Sequence, residues 1–391
     1  MHKYKRHANM INERNLLHTT ITKTQFTMYK TGNGKSGKSV LVNGLNKVAI
    51  LGGKEQMMAD PNLGACVPFS IKAVWDKGVV HQVGGKMVCH PPPEIAKGEI
   101  KYPTLNSFCP LVSTGCFGLI FMMQAAERDM QFESFQMHMA ADANLCCFYR
   151  MCADALNPWS HGVKLDLEVK GPYTEIDLQM LTKLAEEHCP SVEIMRRAFP
   201  VEVIVEGKEV EMAANEPLYY DMDKYTKIAR EKGPQMVKQS IKGDWYCHNE
   251  SEEYPDSLMK FVFDEEGGAE LPMSHDWPVA SGKWATPVQA CFFGGLSQHM
   301  HTVAARLYAS GYLVRSIKGT FSTEMNERIL MSAEKKRRYI FPTGGTMELK
   351  IESNAPRGVL DQVQFEAEHM SPAFMNWSND IPIHVRITKQ E

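Results

Sequence analysis

The run from Leu111 to Asp129 is apolar almost all round, with Phe117, Leu119, Ile120, Phe121, Met122 and Met123 leaving little polar face. Such a pattern predicts a helix buried in the middle of a fold rather than lying on its surface. On either side the periodicity changes. Strands are expected at Ala65–Val74 and Val79–Met87, then a loop carrying Pro91, Pro92 and Pro93, and beyond the helix at Phe132–Met139 and Val163–Val169. Helical spacing returns over Glu175–His188, where Ile176, Leu178, Met180, Leu181 and Leu184 mark one stripe, and Val201–Val205 closes the series as a short alternating strand.

The same succession then recurs. SIKAVW at Ser70–Trp75 returns as SIKGDW at Ser240–Trp245, and Cys116-Phe117 returns as Cys291-Phe292 at the head of a second apolar helix, Val288–Ser310. His188-Cys189-Pro190 returns as Met370-Ser371-Pro372. Strands at Phe261–Phe263, Val314–Phe321, Met347–Ile351 and Ile383–Ile387 and a helix at Leu360–His369 fill the remaining places. A repeat of this size signals two copies of one domain, and 391 residues accommodate two domains of ordinary size. Each copy reads as α+β, with helices segregated to one side of antiparallel strands. The division expected is a basic flexible extension at 1–40, a first domain at 41–212, a linker helix at 213–239 and a second domain at 240–391.

Composition narrows the function classes. A net charge of −3 offers no basic footprint for nucleic acid, and no apolar stretch approaches the roughly 20 residues of a membrane span, so neither partner is expected. Ten cysteines in a chain this long lack the density of a secreted disulfide scaffold, which points to a reducing, cytoplasmic setting. Glu13 is the sole acid before residue 50, and this basic start resembles a weak mitochondrial transit segment as much as a plain extension. Gly32–Ser39 satisfies the pattern of a phosphate-binding loop, but the following VLVNGLNKVAILGG reads as a hairpin rather than the helix such a loop requires. A flexible linker is the reading taken.

Two cysteines can carry chemistry. A thiolate at a helix start is stabilised by the backbone amides, which makes it a better nucleophile toward a peroxide oxygen. The sulfenic acid formed then needs a second thiol to condense with. Cys116, at the head of its apolar helix, fits the attacking role and Cys189 the resolving role, provided the fold brings them within disulfide reach; the alternative is a small buried apolar residue. In the second copy Ser371 replaces the second thiol, so that half reads as silent. Cys146, Cys147 and Cys152 with His138 lack the spaced pairs of a zinc site, and no metal or other cofactor is expected. His188 reads as a solvated residue at a helix end or a base for Cys189, His299 and His301 as interface residues, and Lys335–Arg338 as a solvated basic loop. The many methionines read as adaptable packing that can also line an apolar pocket.

An apolar helix beginning Cys-Phe, a strand pair, a helix ending in Cys-Pro and a Pro-Val-Glu-Val strand resemble the osmotically inducible protein C and organic hydroperoxide resistance family (OsmC/Ohr). LDLEVKGPYTEIDLQMLTKLAEEHCPSVEIMRRAFPVEVIVEG carries most of the resemblance, which covers about residues 65–210 and 240–391. It implies that two tandem OsmC-like domains form an intramolecular pseudodimer around the central apolar helices, with Cys116 and Cys189 adjacent. It further implies reduction of an organic hydroperoxide, the disulfide being reduced by an external dithiol protein or small thiol. The family's peroxidase branch adds an arginine from the first strand region and a glutamate ten residues before the central cysteine; here neither strand region offers an arginine, and Asn106 and Ser281 hold the glutamate positions. Lys72, Lys77 or Lys86 is then the substitute cation to look for, while Arg196 and Arg197 read as helix-end residues. A binding or structural member that has lost the chemistry is the competing reading.

Overall fold

Chain direction and burial follow the predicted periodicities closely. The computed structural model describes residues 40–391 apart from 66, 86, 92–96, 98–104, 145–160, 197–200, 214, 225, 228–235, 249–255, 264–268, 274–285, 331–343, 372–376, 378–382 and 391; for 105–114, 143–144, 161, 236–248, 256–263, 269–273, 329–330 and 383–384 it describes the backbone alone. The phosphate-loop pattern Gly32–Ser39, the cysteines 146, 147 and 152, Lys86, Arg197 and the basic loop 335–338 lie outside the described residues.

The first half contributes β1 (Leu41–Val42), β2 (Leu45–Asn46), α1 (Lys47–Ala59), β3 (Val67–Asp76), β4 (Val79–Gln82), β5 (Val88–Cys89), α2 (Leu105–Glu127), β6 (Ser134–Asn144), β7 (His161–Lys170), α3 (Glu175–His188), α4 (Pro190–Arg196) and β8 (Val201–Glu209). The second contributes β9 (Met236–His248), β10 (Asp256–Phe263), β11 (Ala269–Met273), α5 (Pro287–Ala309), β12 (Val314–Met325), α6 (Glu327–Leu330), β13 (Gly345–Ser353), α7 (Arg357–Met370) and β14 (Ile383–Gln390). Helices and strands packed in this way make the fold α+β, as the sequence predicts.

Two six-stranded sheets hold the elements in the orders β5-β4-β3-β12-β13-β8 and β11-β10-β9-β6-β7-β14. Each sheet takes its first three strands and its last from one half and its middle pair from the other. The seams are long: β3 pairs antiparallel with β12 from Trp75↔Ile317 to Val67↔Met325, and β6 with β9 from Gln136↔Asp244 to Asn144↔Met236. Alternation drives the pairing. Ile71, Ala73 and Trp75 of β3, Val163, Leu165, Leu167 and Val169 of β7, and Met347, Leu349 and Ile351 of β13 are buried, so one face of each sheet must be covered by helices. Helix α2 covers β9 and β6, α5 covers β12 and β3, and the two helices pack on each other.

Three expectations change. The sheets are mixed rather than antiparallel, because β13 pairs with β8 and β7 with β14 in parallel. VLVNGLNKVAILGG is a hairpin followed by a helix: Asn43 and Gly44 both adopt positive φ, as a two-residue hairpin turn demands, and the Asn46 side chain then caps α1 by accepting from Ala49 N–H. The segment assigned to a linker begins β9 at Met236 and is anchored in the core, since Tyr220 is buried and accepts a 2.6 Å hydrogen bond from Trp75 Nε1.

Candidate active site

Cys189 sits at a junction that the sequence dictates. Helix α3 opens with a capping box, Thr174 accepting from Asp177 N–H while the Asp177 carboxylate accepts from Thr174 N–H, and it buries Leu178, Leu181 and Ala185 along one stripe. Pro190 cannot supply the amide that would continue it, so the helix stops at Cys189, whose own N–H donates to Ala185 O at 2.8 Å. The Cys189 carbonyl then accepts from Glu193 N–H at 3.1 Å, which makes the same residue the start of α4. All of Pro190 to Met195 is buried, and α4 lies against α2.

That docking brings together the two cysteines singled out from the sequence. Cys116 is 2 % exposed and Cys189 1 %, both are free thiols, and the Cys116 thiol hydrogen-bonds the Cys189 sulfur. The Cys189 sulfur also lies 3.1 Å from Ser191 Oγ. Burial pushes the Cys189 thiol up, but the Cys116 thiol, the Ser191 hydroxyl and the backbone amides of Val192 and Ser191 outweigh it, so its pKa falls below the ordinary thiol value.

The physical reason given for activating Cys116 is corrected. Helix α2 starts at Leu105, so Cys116 lies about three turns inside it, where backbone amides are consumed by intrahelical bonds and the dipole at the helix end is remote. The signal that misleads is Pro110, which argues for a helix boundary yet lies within α2. The Cys189 sulfur lies beside the Ser191 hydroxyl and the backbone amides of Ser191 and Val192. Lys72 and Lys77 are exposed, Lys77 in the turn between β3 and β4, so neither supplies the expected cation at the buried thiols. Arg196 pairs with Glu186 at 3.3 Å at the end of α4, and His188 is partly exposed in the last turn of α3. Asn106 lies in α2 with its side chain outside the described residues, as does all of Ser281.

The equivalent place in the second half is built differently. Ser371 ends α7 as Cys189 ends α3, donating its N–H to Ala367 O at 2.9 Å, but its buried hydroxyl finds no hydrogen-bond partner among the described residues. Cys291 is partly exposed. Trp377, six residues after Ser371, packs its ring against Phe321 at 5.1 Å and Phe292 at 6.0 Å, and a Cβ on Gly295 would meet that ring at 2.0 Å. The corresponding positions of the first half are Met195, Met139, Phe117 and Ile120, all buried and three of them flexible or aliphatic. The equivalence follows from register, since Met139 pairs with Ile241 as Phe321 pairs with Ile71.

Sequence reasoning also missed a buried polar chain. Trp75 Nε1 donates to Tyr220 OH, which donates to His301 Nδ1 at 2.5 Å; His301 Nε2 donates to Cys89 O at 3.3 Å. This order of donors fixes the imidazole as the neutral Nε2–H tautomer, and burial lowers its pKa to about 3. His299, two residues earlier on α5, is lowered to about 4 by burial despite its hydrogen bond to Gln364. Among the described residues no group of three metal-ligating side chains is assembled. A groove of about 410 Å³ between α3 and β14 carries both charge signs, Glu175 and Glu186 beside Lys183 and Arg386, and none of its lining residues is a cysteine. No helix among the described residues is long and apolar enough to cross a membrane.

No protein-family model matches the chain, and no curated protein does. Among solved structures, an OsmC-like protein from Mycoplasma pneumoniae matches with 14 % identity and a TM-score of 0.26, covering 34 % of this chain and 90 % of its own. A similarity of that size does not place the chain in a family.

Proposed function

We propose that the protein is an OsmC-like thiol peroxidase that reduces organic hydroperoxides with the Cys116 and Cys189 pair, the two halves of one chain forming an intramolecular pseudodimer. The observation that carries this reading is the contact between two buried thiols that form no disulfide, on α2 and at the α3–α4 junction, with Ser191 Oγ 3.1 Å from the Cys189 sulfur. A hydroperoxide oxidises one thiol to a sulfenic acid, the neighbour condenses with it to a disulfide, and an external dithiol restores the pair. The thiols lie in a half whose core includes the buried Phe117, Ile120, Met139 and Met195, and burial among apolar residues suits an alkyl or aryl hydroperoxide better than a charged one. The strand exchange between the halves supports the pseudodimer, as each sheet is completed by the other half's central pair.

The experiment is turnover of cumene hydroperoxide to its alcohol with dithiothreitol as reductant. Activity is expected in the wild type and lost in the Cys116→Ser, Cys189→Ser double variant. Undiminished consumption in a folded double variant would overturn the reading, and no consumption by the wild type would favour the alternative, a binding or structural protein, for which the near-complete burial of both thiols speaks.

A further inference from the structure

Independently of the thiol-peroxidase reading, we propose a second redox site: Tyr220 gives up one electron to an outer-sphere one-electron oxidant at the protein surface and passes its phenolic proton to His301. Its parts come from both halves and from the segment between them. Trp75 lies on β3, Cys89 on β5 and His301 on α5, and Tyr220 from the connecting segment ties them together. Trp75, Tyr220 and His301 are each 1 % exposed or less, so bulk water does not reach the chain of hydrogen bonds.

Proton bookkeeping singles out Tyr220. Its oxygen accepts from Trp75 Nε1–H at 2.6 Å, which leaves its own proton directed at His301 Nδ1, 2.5 Å away. An oxidised phenol is a strong acid, and it loses its proton in the dark interior of a protein only to a base already within hydrogen-bond reach; neutral imidazole is such a base. Trp75 lacks this outlet, because the atom that its N–H meets is the Tyr220 oxygen, which already carries a proton. Burial makes His301 a weak base, yet an oxidised phenol is a stronger acid than the resulting imidazolium, so the positive charge moves to the ring of His301. There Nε2–H stays on the Cys89 carbonyl oxygen at 3.3 Å, a hydrogen bond that strengthens when its donor becomes charged.

The electron has a path outward through neighbouring rings. Tyr308 lies 5.5 Å from Tyr220 and 6.4 Å from Trp75 between ring centroids, and Tyr219 lies 6.0 Å from Trp75. Both Tyr219 and Tyr308 are partly exposed, so they can meet an oxidant in solution, whereas a radical on Tyr220 is sealed from water. The step balances. The oxidant gains one electron and Tyr220 loses one; the phenolic O–H bond breaks and an N–H bond forms at His301 Nδ1, leaving a neutral tyrosyl radical beside an imidazolium. An external one-electron reductant such as ascorbate returns the electron, and the proton goes back to the phenolate oxygen.

The test is flash oxidation of the full chain with photogenerated tris(bipyridine)ruthenium(III), persulfate taking the electron from the excited complex, followed by freezing and electron paramagnetic resonance. A neutral tyrosyl radical is expected in the wild type. Ring-fluorinated tyrosine incorporated at position 220 keeps the hydroxyl and the packing, and should add fluorine hyperfine splitting to that signal. Tyr220→Phe should lower the radical yield at least about tenfold, and so should His301→Gln, which keeps a hydrogen-bond acceptor but no base; circular dichroism checks that both are folded. No tyrosyl radical in the wild type, a signal without fluorine splitting in the labelled protein, or a wild-type yield in folded His301→Gln would overturn the assignment. None of these readouts involves Cys116 or Cys189, so they stand or fall apart from hydroperoxide turnover.

Discussion

At the residue scale, Cys116 and Cys189 meet through packing that no local pattern encodes, and their adjacency was expected only from the resemblance to the OsmC/Ohr family. The depth of Cys116 within α2 was not legible, since it depends on where α2 begins, and Pro110 hides that start. Gly295 and Trp377 show a similar limit: they are far apart in sequence, and only packing reveals that one must lack a Cβ for the other to fit. Gly295→Ala is therefore expected to cost about 1–3 kcal/mol of stability in urea unfolding, with little change if Trp377 is replaced by a smaller residue in the same chain. Tyr220→Phe removes the hydroxyl between Trp75 Nε1 and His301 Nδ1 and leaves both buried groups without that partner. The expected loss is roughly 1–3 kcal/mol per stranded group, measured against wild type by the same method; a change under about 0.5 kcal/mol would show that the chain of hydrogen bonds does not anchor the segment.

At the element scale, α5 predicts how stability responds to acid. His299 and His301 are buried on it with pKa values lowered to about 4 and about 3, against 6.5 when exposed. Because the unfolded chain binds more protons than the folded one between those values, the stabilisation from keeping each imidazole neutral is complete above pH 6.5. It declines as pH falls, at about 1.4 kcal/mol per pH unit for each histidine, until the folded pKa is reached. Guanidinium unfolding between pH 7 and pH 4.5 should show that decline, and His301→Gln should flatten it; a slope unchanged in His301→Gln would contradict the assignment. The sequence placed these histidines on a central helix facing an interface, which the structure bears out in part: they are buried, and their partners come from the linker, β5 and α7. Helix and strand boundaries were otherwise legible wherever periodicity was strong, as over α3, which runs Glu175–His188 as expected. The hairpin of β1 and β2 was legible from its Asn-Gly turn, whereas the helix α1 directly behind it was not.

At the scale of the whole molecule, the repeat was visible in the sequence, but the interleaving of its halves was not. Its consequence is that α2, which carries Cys116, lies over β9 of the other half as well as β6 of its own, whereas β3 lies under α5. The fold also predicts that neither half stands alone. A first half expressed through residue 227 and a second beginning at residue 232 would each lose the strands that complete their sheets, exposing long edges. Each is expected to aggregate or remain unfolded by circular dichroism, while co-expression restores a soluble complex of one copy each; a monomeric, folded first half would contradict the exchanged topology.

The most direct test of the central claim is peptide mapping of the wild-type protein after one equivalent of cumene hydroperoxide. The account predicts a single new cross-link, Cys116 to Cys189, with the matching loss of two titratable thiols and recovery of both on adding dithiothreitol. Thiols that stay titratable, or a disulfide formed between other cysteines while this pair stays reduced, would contradict it.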